Sequence, residues 1–316
     1  MLSLRIINLC CLKYYLYVFY MDQLDDIRTS EVIDNNIDLR CAPNVKFEDG
    51  SCYSLVVLME MANAYNKTNN NKIKLYPSFE TLNPKKYKKY LLREFKRRHN
   101  KCHNQQCWAE QSFIDNLNQK VQEEIRNHTF RPEGPDGKFE WLNTININEV
   151  MEQYEKKYPD FKFLGAVPID FDDLPVLGLR DINFSQLLSE GKSKIGIIFN
   201  LDEHDKSGSH WVGLYSDIKK GTVYFFDSYG IRPEYRIRKF MRRIAKYCQT
   251  GLGIKQPVCD HNKLRHQYEG SECGVYSINF IIRMLRGESF EDISKKRLPD
   301  ETINKCRNTY FRNVNI

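Results

Sequence analysis

The chain has 316 residues, enough for one large domain or two modest ones, and its 41% hydrophobic and 28% charged content excludes a disordered or low-complexity protein. Its 48 Lys and Arg against 41 Asp and Glu leave a net charge of only +7, which permits an acidic partner and requires none. Ten cysteines, at positions 10, 11, 41, 52, 102, 107, 248, 259, 273 and 306, show no repeated framework; they exclude a disulfide-stapled small scaffold and predict mostly free thiols in a reducing compartment.

Residues 1–20 are apolar and aromatic, but Lys13 interrupts the run. The longest uncharged stretch, from Tyr14 to Met21, is far short of the roughly 20 apolar residues a bilayer requires, and no small-residue cleavage site follows. The reading is an upstream extension rather than a membrane segment, with Met21 opening an ordinary charged start. Helical patterns follow at 52–64, 87–98 and 106–126, with an Asn/Lys-rich loop at 66–74. Then Arg131-Pro132-Glu133-Gly134-Pro135-Asp136-Gly137 breaks any helix or strand. It marks a boundary between an α-rich N-terminal region, residues 21–135, and a second domain, residues 136–316.

The second domain begins with helical patterns at 148–157 and 184–189. Three strand-like runs follow at 195–199, 211–216 and 222–226, the last two joined by Asp217-Ile218-Lys219-Lys220-Gly221, a hairpin connection. Residues 236–248 carry an apolar stripe of Ile237, Phe240, Met241, Ile244 and Ala245. Residues 274–286 are apolar at Val275, Ile278, Ile281, Ile282 and Leu285, and Gly287 closes them. The expected class is α+β, with a central antiparallel hairpin and a buried helix.

The hairpin also carries chemistry. Pairing across the Asp217–Gly221 turn makes facing residue numbers sum to about 438, which sets His210 beside Asp227 and Ser228 at one end of adjacent strands. A carboxylate there can orient an imidazole and stabilise its charged form. Cys273 opens the last helix, where unpaired amides and the helix dipole favour a thiolate. Gln267, six residues earlier across a loop containing Gly270, is placed to offer its amide to a tetrahedral oxyanion. Singly, each has an ordinary reading: a small buried thiol, a strand-end His, a turn-shaping Asp, a loop Gln. Together they supply nucleophile, base, orienter and oxyanion donor.

Two further signals compete. His99, Cys102, His103 and Cys107 fall within nine residues, but zinc ligand pairs are normally separated by a loop long enough to wrap the ion. They read as a polar turn between helices, and no metal or other cofactor is expected. The segment from Lys85 to Lys101 holds nine basic residues and one acidic one, interleaved with Tyr87, Tyr90 and Phe95, and that from Arg232 to Lys246 seven basic and one acidic. Either is a solvated helix face or a surface for phosphates, and nucleic acid is carried as a partner for the first.

The order His210-Trp211, Phe226-Asp227-Ser228, Gln267 and Cys273-Gly274 resembles the SUMO-protease and adenovirus-protease superfamily, papain-like enzymes with their catalytic residues rearranged along the chain. Trp141-Leu142-Asn143 is similar to the Trp-Leu-Asn-Asp segment that begins the SUMO-protease core, with Thr144 in place of the final Asp. Cys41-Ala42-Pro43, Gly50-Ser51-Cys52 and Gly208-Ser209-His210-Trp211 resemble the polyprotein proteases of large cytoplasmic DNA viruses, of the African swine fever virus type. The superfamily resemblance covers roughly residues 139–286. It implies a papain-like cysteine protease core, a Cys273–His210–Asp227 mechanism with Gln267 as oxyanion donor, and Trp141 and Trp211 at the substrate cleft. It also implies cleavage after Gly-Gly-like sites in viral structural precursors, in the virion and host cytoplasm. Two alternatives stay open: an isopeptidase acting on host ubiquitin-like conjugates, and a non-catalytic protein that keeps the fold.

Overall fold

The computed structural model describes residues 40–75 and 83–312. The apolar extension at 1–20 and the start at Met21 lie outside the described residues.

Helix α1, Leu55–Thr68, begins where Ser54 Oγ accepts the amide of Val57. Helix α2, Pro84–Arg98, has Asn83 as its cap and a proline at its first position, where the missing N–H costs nothing. The helical pattern at 106–126 is not one helix. Gln111 and Leu117 are extended, which breaks it into two short 3₁₀ turns, Gln106–Glu110 and Ser112–Asn116. A new cap at Asn118 then starts α3, Gln119–Asn127. The apolar faces close on a core that includes Leu58, Met61, Phe95, Trp108 and Phe113.

The expectation of mostly free thiols is corrected here. Cys41 pairs with Cys52 and Cys102 with Cys107, the turns at 42–51 and 103–106 bringing each pair within Cα distances of 5.3 and 5.5 Å. Cys248, Cys259, Cys273 and Cys306 are free. Cys10 and Cys11 lie outside the described residues.

Helix α4, Thr144–Lys157, starts with a reciprocal capping box between Asn143 and Asn146. Then come β1 (Phe161–Pro168), α5 (Phe184–Ser189), β2 (Lys194–Asn200), β3 (Trp211–Asp217), β4 (Thr222–Phe226), α6 (Tyr235–Leu252), β5 (Val258–His261) and α7 (Cys273–Leu285). Three short helices follow: α8 (Phe290–Lys295), α9 (Asp300–Lys305) and α10 (Arg307–Tyr310). The five strands form one sheet in sequence order. The antiparallel hairpin sits at its centre with β2 antiparallel to β3, and β1 and β5 add in parallel at the edges, so the α+β sheet is mixed.

The sheet is covered on both faces. α4 and α7 join one core with Phe163, Ile198 and Tyr215, and α6 joins another with Ile197, Val212 and Phe225. This two-sided burial explains why β2 and β3 read as continuous apolar runs. Two glycines let α7 approach. A Cβ on Gly213 would meet Phe280 Cδ1 at 3.0 Å and the Ser277 carbonyl at 3.4 Å, and one on Gly196 would meet Phe161 at 2.7 Å and Ile281 at 3.2 Å.

Candidate active site

The hairpin pairs Gly213 with Phe226 and Asp217 with Thr222, so facing numbers sum to 439 rather than 438. Asp217 stays in the strand and its Oδ1 accepts the amide of Lys220 at 3.2 Å, which shortens the connection to four residues ending on Gly221, φ +68°. One residue of slip exchanges the neighbours. Continued past β3, His210 lies opposite Tyr229, and the two rings stack at 4.5 Å with an 11° interplanar angle.

Asp227 still reaches the imidazole: its Oδ1 lies 2.7 Å from His210 Nε2, with both side chains buried. The same Oδ1 accepts the Tyr229 amide at 2.8 Å. Asn262 holds the Asp227 backbone from both sides, its Oδ1 accepting the Asp227 amide at 2.9 Å and its Nδ2 donating to the Asp227 carbonyl at 2.7 Å. With Nε2 engaged by Asp227, Nδ1 is the ring nitrogen left to act on Cys273. Burial alone would push the imidazole pKa down; the interaction with Asp227 and then that with Cys273 outweigh it and push it up to about 9. At neutral pH the ring carries its proton, which equips it to act as an acid toward a leaving group.

Cys273 is the first residue of α7 and is 3% exposed. Gln267 is fully buried and its amide is fixed at both ends: Ser228 Oγ donates to Oε1 at 2.6 Å, and Nε2 donates to the Glu269 carbonyl at 2.6 Å. The amides of His266 and Gln267 both donate to the Ser228 carbonyl, at 2.7 and 2.9 Å. One amide hydrogen of Gln267 remains after the Glu269 bond. Ser228, Tyr229 and Asn262 are the positioning groups that sequence reasoning missed. The short register error hid Tyr229, and nothing local marks an Asn 35 residues from its partner.

The two tryptophans separate. Trp211 is a core residue, 6% exposed, its Nε1 donating to the Leu142 carbonyl at 2.8 Å. Trp141 is 49% exposed, and its neighbour Leu142 packs on the nucleophile's helix, where a Cβ added to Gly274 would meet Leu142 Cβ at 3.1 Å.

In the Cys/His segment, both thiols are spent on the Cys102–Cys107 bridge. His99 is an aromatic packing residue, stacked on Phe113 at 5.2 Å and on Phe95 at 6.2 Å. Among the described residues no cluster of His, Cys, Asp and Glu is arranged to hold a metal. Along α2, Lys85, Lys86, Lys89, Arg93, Lys96 and Arg97 are exposed opposite buried Tyr87, Leu91 and Phe95, while Lys88 is buried and donates to the Glu48 carbonyl at 2.6 Å. No helix among the described residues is long and apolar enough to cross a membrane.

The site is a buried acid–imidazole pair beside a helix-opening thiol, the constellation of a cysteine hydrolase. Known cysteine proteases resemble the chain. The model of the Ulp1 protease family, C-terminal catalytic domain, matches residues 187–315. A protein of Acanthamoeba polyphaga mimivirus, provisionally named as a thiol protease, is 43% identical over 275 residues, spanning 84% of this chain and 90% of that protein. A cysteine protease of African swine fever virus is 26% identical over 200 residues, 58% of this chain and 72% of that one. The crystal structure of an African swine fever virus protease shares the fold, with a TM-score of 0.57 at 21% identity, covering 86% of this chain and 95% of that one.

Proposed function

The chain belongs to the Ulp1-type cysteine protease family, and from that premise we propose that it cleaves peptide bonds with Cys273 as nucleophile, His210 as acid and base, Asp227 as orienter and Gln267 as oxyanion donor. The observation that carries this reading is His210, buried and bonded through Nε2 to Asp227 at 2.7 Å, with Cys273 among the groups that raise its pKa. The Cys273 thiolate adds to the scissile carbonyl carbon, and the carbonyl electrons move onto oxygen, opposite the Gln267 amide and the first amides of α7. Collapse of that intermediate expels the amine, which takes the His210 proton, and leaves a thioester. His210, now neutral, takes a proton from water as it attacks the thioester, and the thiolate returns as the acid product departs.

The substrate we propose is a viral structural precursor cut at Gly-Gly-like sites, in the virion and the host cytoplasm. The likeness to viral proteases supports this, and so does the exposed Trp141, whose neighbour Leu142 packs against Gly274 beside the nucleophile. Residues 136–316 would be the protease domain and 21–135 an accessory helical region. The second reading, an isopeptidase acting on ubiquitin-like conjugates, is favoured by the match to the Ulp1 family itself and by Trp141-Leu142-Asn143. Cleavage-site profiling of purified protein on precursor-junction peptides, SUMO and ubiquitin conjugates tests both. Preference for the conjugates would replace the first reading. The exposed basic row on α2 further supports contact with nucleic acid, since residues four apart on a helix repeat every ~6 Å along one side. A steep fall of binding with added salt, lost when Lys89, Arg93 and Lys96 become Gln, checks it.

A further inference from the structure

Glu272, immediately before the nucleophile, occupies the N-cap position of α7, yet its side chain does not cap the helix. It is 1% exposed and turned into a polar cluster. Arg307 Nε donates to its Oε2 at 3.1 Å and Arg307 Nη2 to its Oε1 at 3.3 Å. Asn304 Nδ2 and Ser271 Oγ donate to the same Oε1 at 2.9 and 2.8 Å. Arg307 is itself fully buried and also donates to the Ser271 carbonyl at 3.3 Å. Asn304 donates as well to the Lys138 carbonyl at 2.9 Å, tying the nucleophile loop to the segment that leads to Trp141.

An acidic side chain at a helix start is ordinarily drawn to the unpaired amides and the positive end of the dipole. Tyr276 is the first residue of α7 whose amide is bonded within the helix, to the Glu272 carbonyl at 2.8 Å. The amides before it are the donors that a capping carboxylate would take. They are also the backbone donors nearest the sulfur, which a tetrahedral oxyanion needs. A carboxylate seated there would occupy them and set one negative charge against another. Stability does not account for the arrangement, because a buried ion pair is commonly matched or bettered by apolar residues of the same volume.

We propose that Arg307, helped by Asn304 and Ser271, is a positioning residue that holds Glu272 off the start of α7 and so keeps those amides open to the substrate's oxyanion. This rests on the assignment of Cys273 as nucleophile. Arg307 acts through Glu272 and the adjoining Ser271 carbonyl, not on the reacting atoms.

The experiment compares two reactions of the same sulfur in the full-length protein. Acylation by a peptide substrate, followed in single turnover, forms an oxyanion. Alkylation by iodoacetamide, followed at Cys273 by peptide mass spectrometry, is a direct displacement that forms none. In Arg307→Met, acylation should fall about thirtyfold or more with KM little changed, below the hundredfold to thousandfold typical of a lost oxyanion donor, while alkylation changes less than about threefold. Glu272→Met/Arg307→Met removes the charge that needs holding, and its acylation should return to within about threefold of wild type. Equal losses in both reactions, no loss in either, or a double variant as slow as Arg307→Met would overturn the proposal. Should Arg307→Met fail to fold, Asn304→Ala keeps the ion pair and should slow acylation a few-fold with alkylation unmoved; unchanged acylation there would count equally against it. Alkylation of Cys273 in the wild type without loss of turnover would instead remove the nucleophile assignment, whatever the variants do.

Discussion

His210 combines burial with a cationic charge, and that combination has a sign. Because its pKa is raised to about 9 from an ordinary 6.5, its bond to Asp227 contributes stability that is fully present below about pH 6.5 and disappears as pH rises through about 9. Turnover should fall over the same upper range, as the ring loses the proton that the leaving amine needs. Asp227→Asn keeps an acceptor but removes the charge that raises the ring. Its alkaline limb should move well below 9, and its melting temperature should differ from wild type at pH 6 and converge with it near pH 10. An unmoved limb would make Asp227 a turn residue only. Gln267→Ala should slow acylation on the order of a hundredfold to a thousandfold with little change in KM. Ser228→Ala should cost less, because the Glu269 carbonyl still restrains the Gln267 amide from the other side; single-turnover rates for the two variants rank them. The proposed quartet can be assembled from sequence because its residue types and order carry chemistry, whereas Ser228 and Asn262 act through bonds spanning 39 and 35 residues that no local pattern announces.

At the scale of elements, the site depends on the fit of α7 against the central strands. Gly213 is the closest approach, with Phe280 Cδ1 and the Ser277 carbonyl on the other side. Gly213→Val should overpack this contact at a cost of about 1–3 kcal/mol and displace Cys273 from His210, so activity should fall by more than the folded fraction does. Comparing a urea unfolding curve with active-site titration separates the two. The helices with a clear apolar stripe, 236–248 and 274–286, were readable to within a few residues, and the short helix 184–189 matched its bounds. β1 and β5 were not. β1 carries a shift in pairing between Phe163 and Ala166 that breaks its alternation, and β5 is four largely exposed residues with no apolar face. The hairpin register missed by one because the turn was counted at five residues, whereas the Asp217–Thr222 pair leaves four.

Across the whole described chain, the helical region and the protease core are joined by polar bonds as well as packing. Gln153 of α4, 2% exposed, donates through Nε2 to the carbonyls of both Asn127 and Phe130 at 2.8 Å. Arg40 Nη1 donates to the Arg312 carbonyl at 2.6 Å and the Phe311 carbonyl at 3.3 Å. Gln153→Ala leaves the buried Phe130 carbonyl and the part-buried Asn127 carbonyl without this donor and should cost about 1–3 kcal/mol in chemical unfolding while kcat of the folded fraction stays near wild type. A proportionate fall in kcat would show that the helical region shapes the site directly. Sequence composition changed at 131–137, yet the bonds that cross there join residues far apart in sequence, which no composition reports. The central claim, that Cys273 and His210 form the reacting pair, is tested most directly by turnover in Cys273→Ala. Cys273 is buried, and Ala removes only its sulfur, so the variant should melt close to wild type and show no turnover. A peptide vinyl sulfone should label Cys273 of the wild type and nothing in the variant. A folded Cys273→Ala protein with near-normal turnover, or wild-type labelling confined to Cys259 or Cys306, would contradict the account.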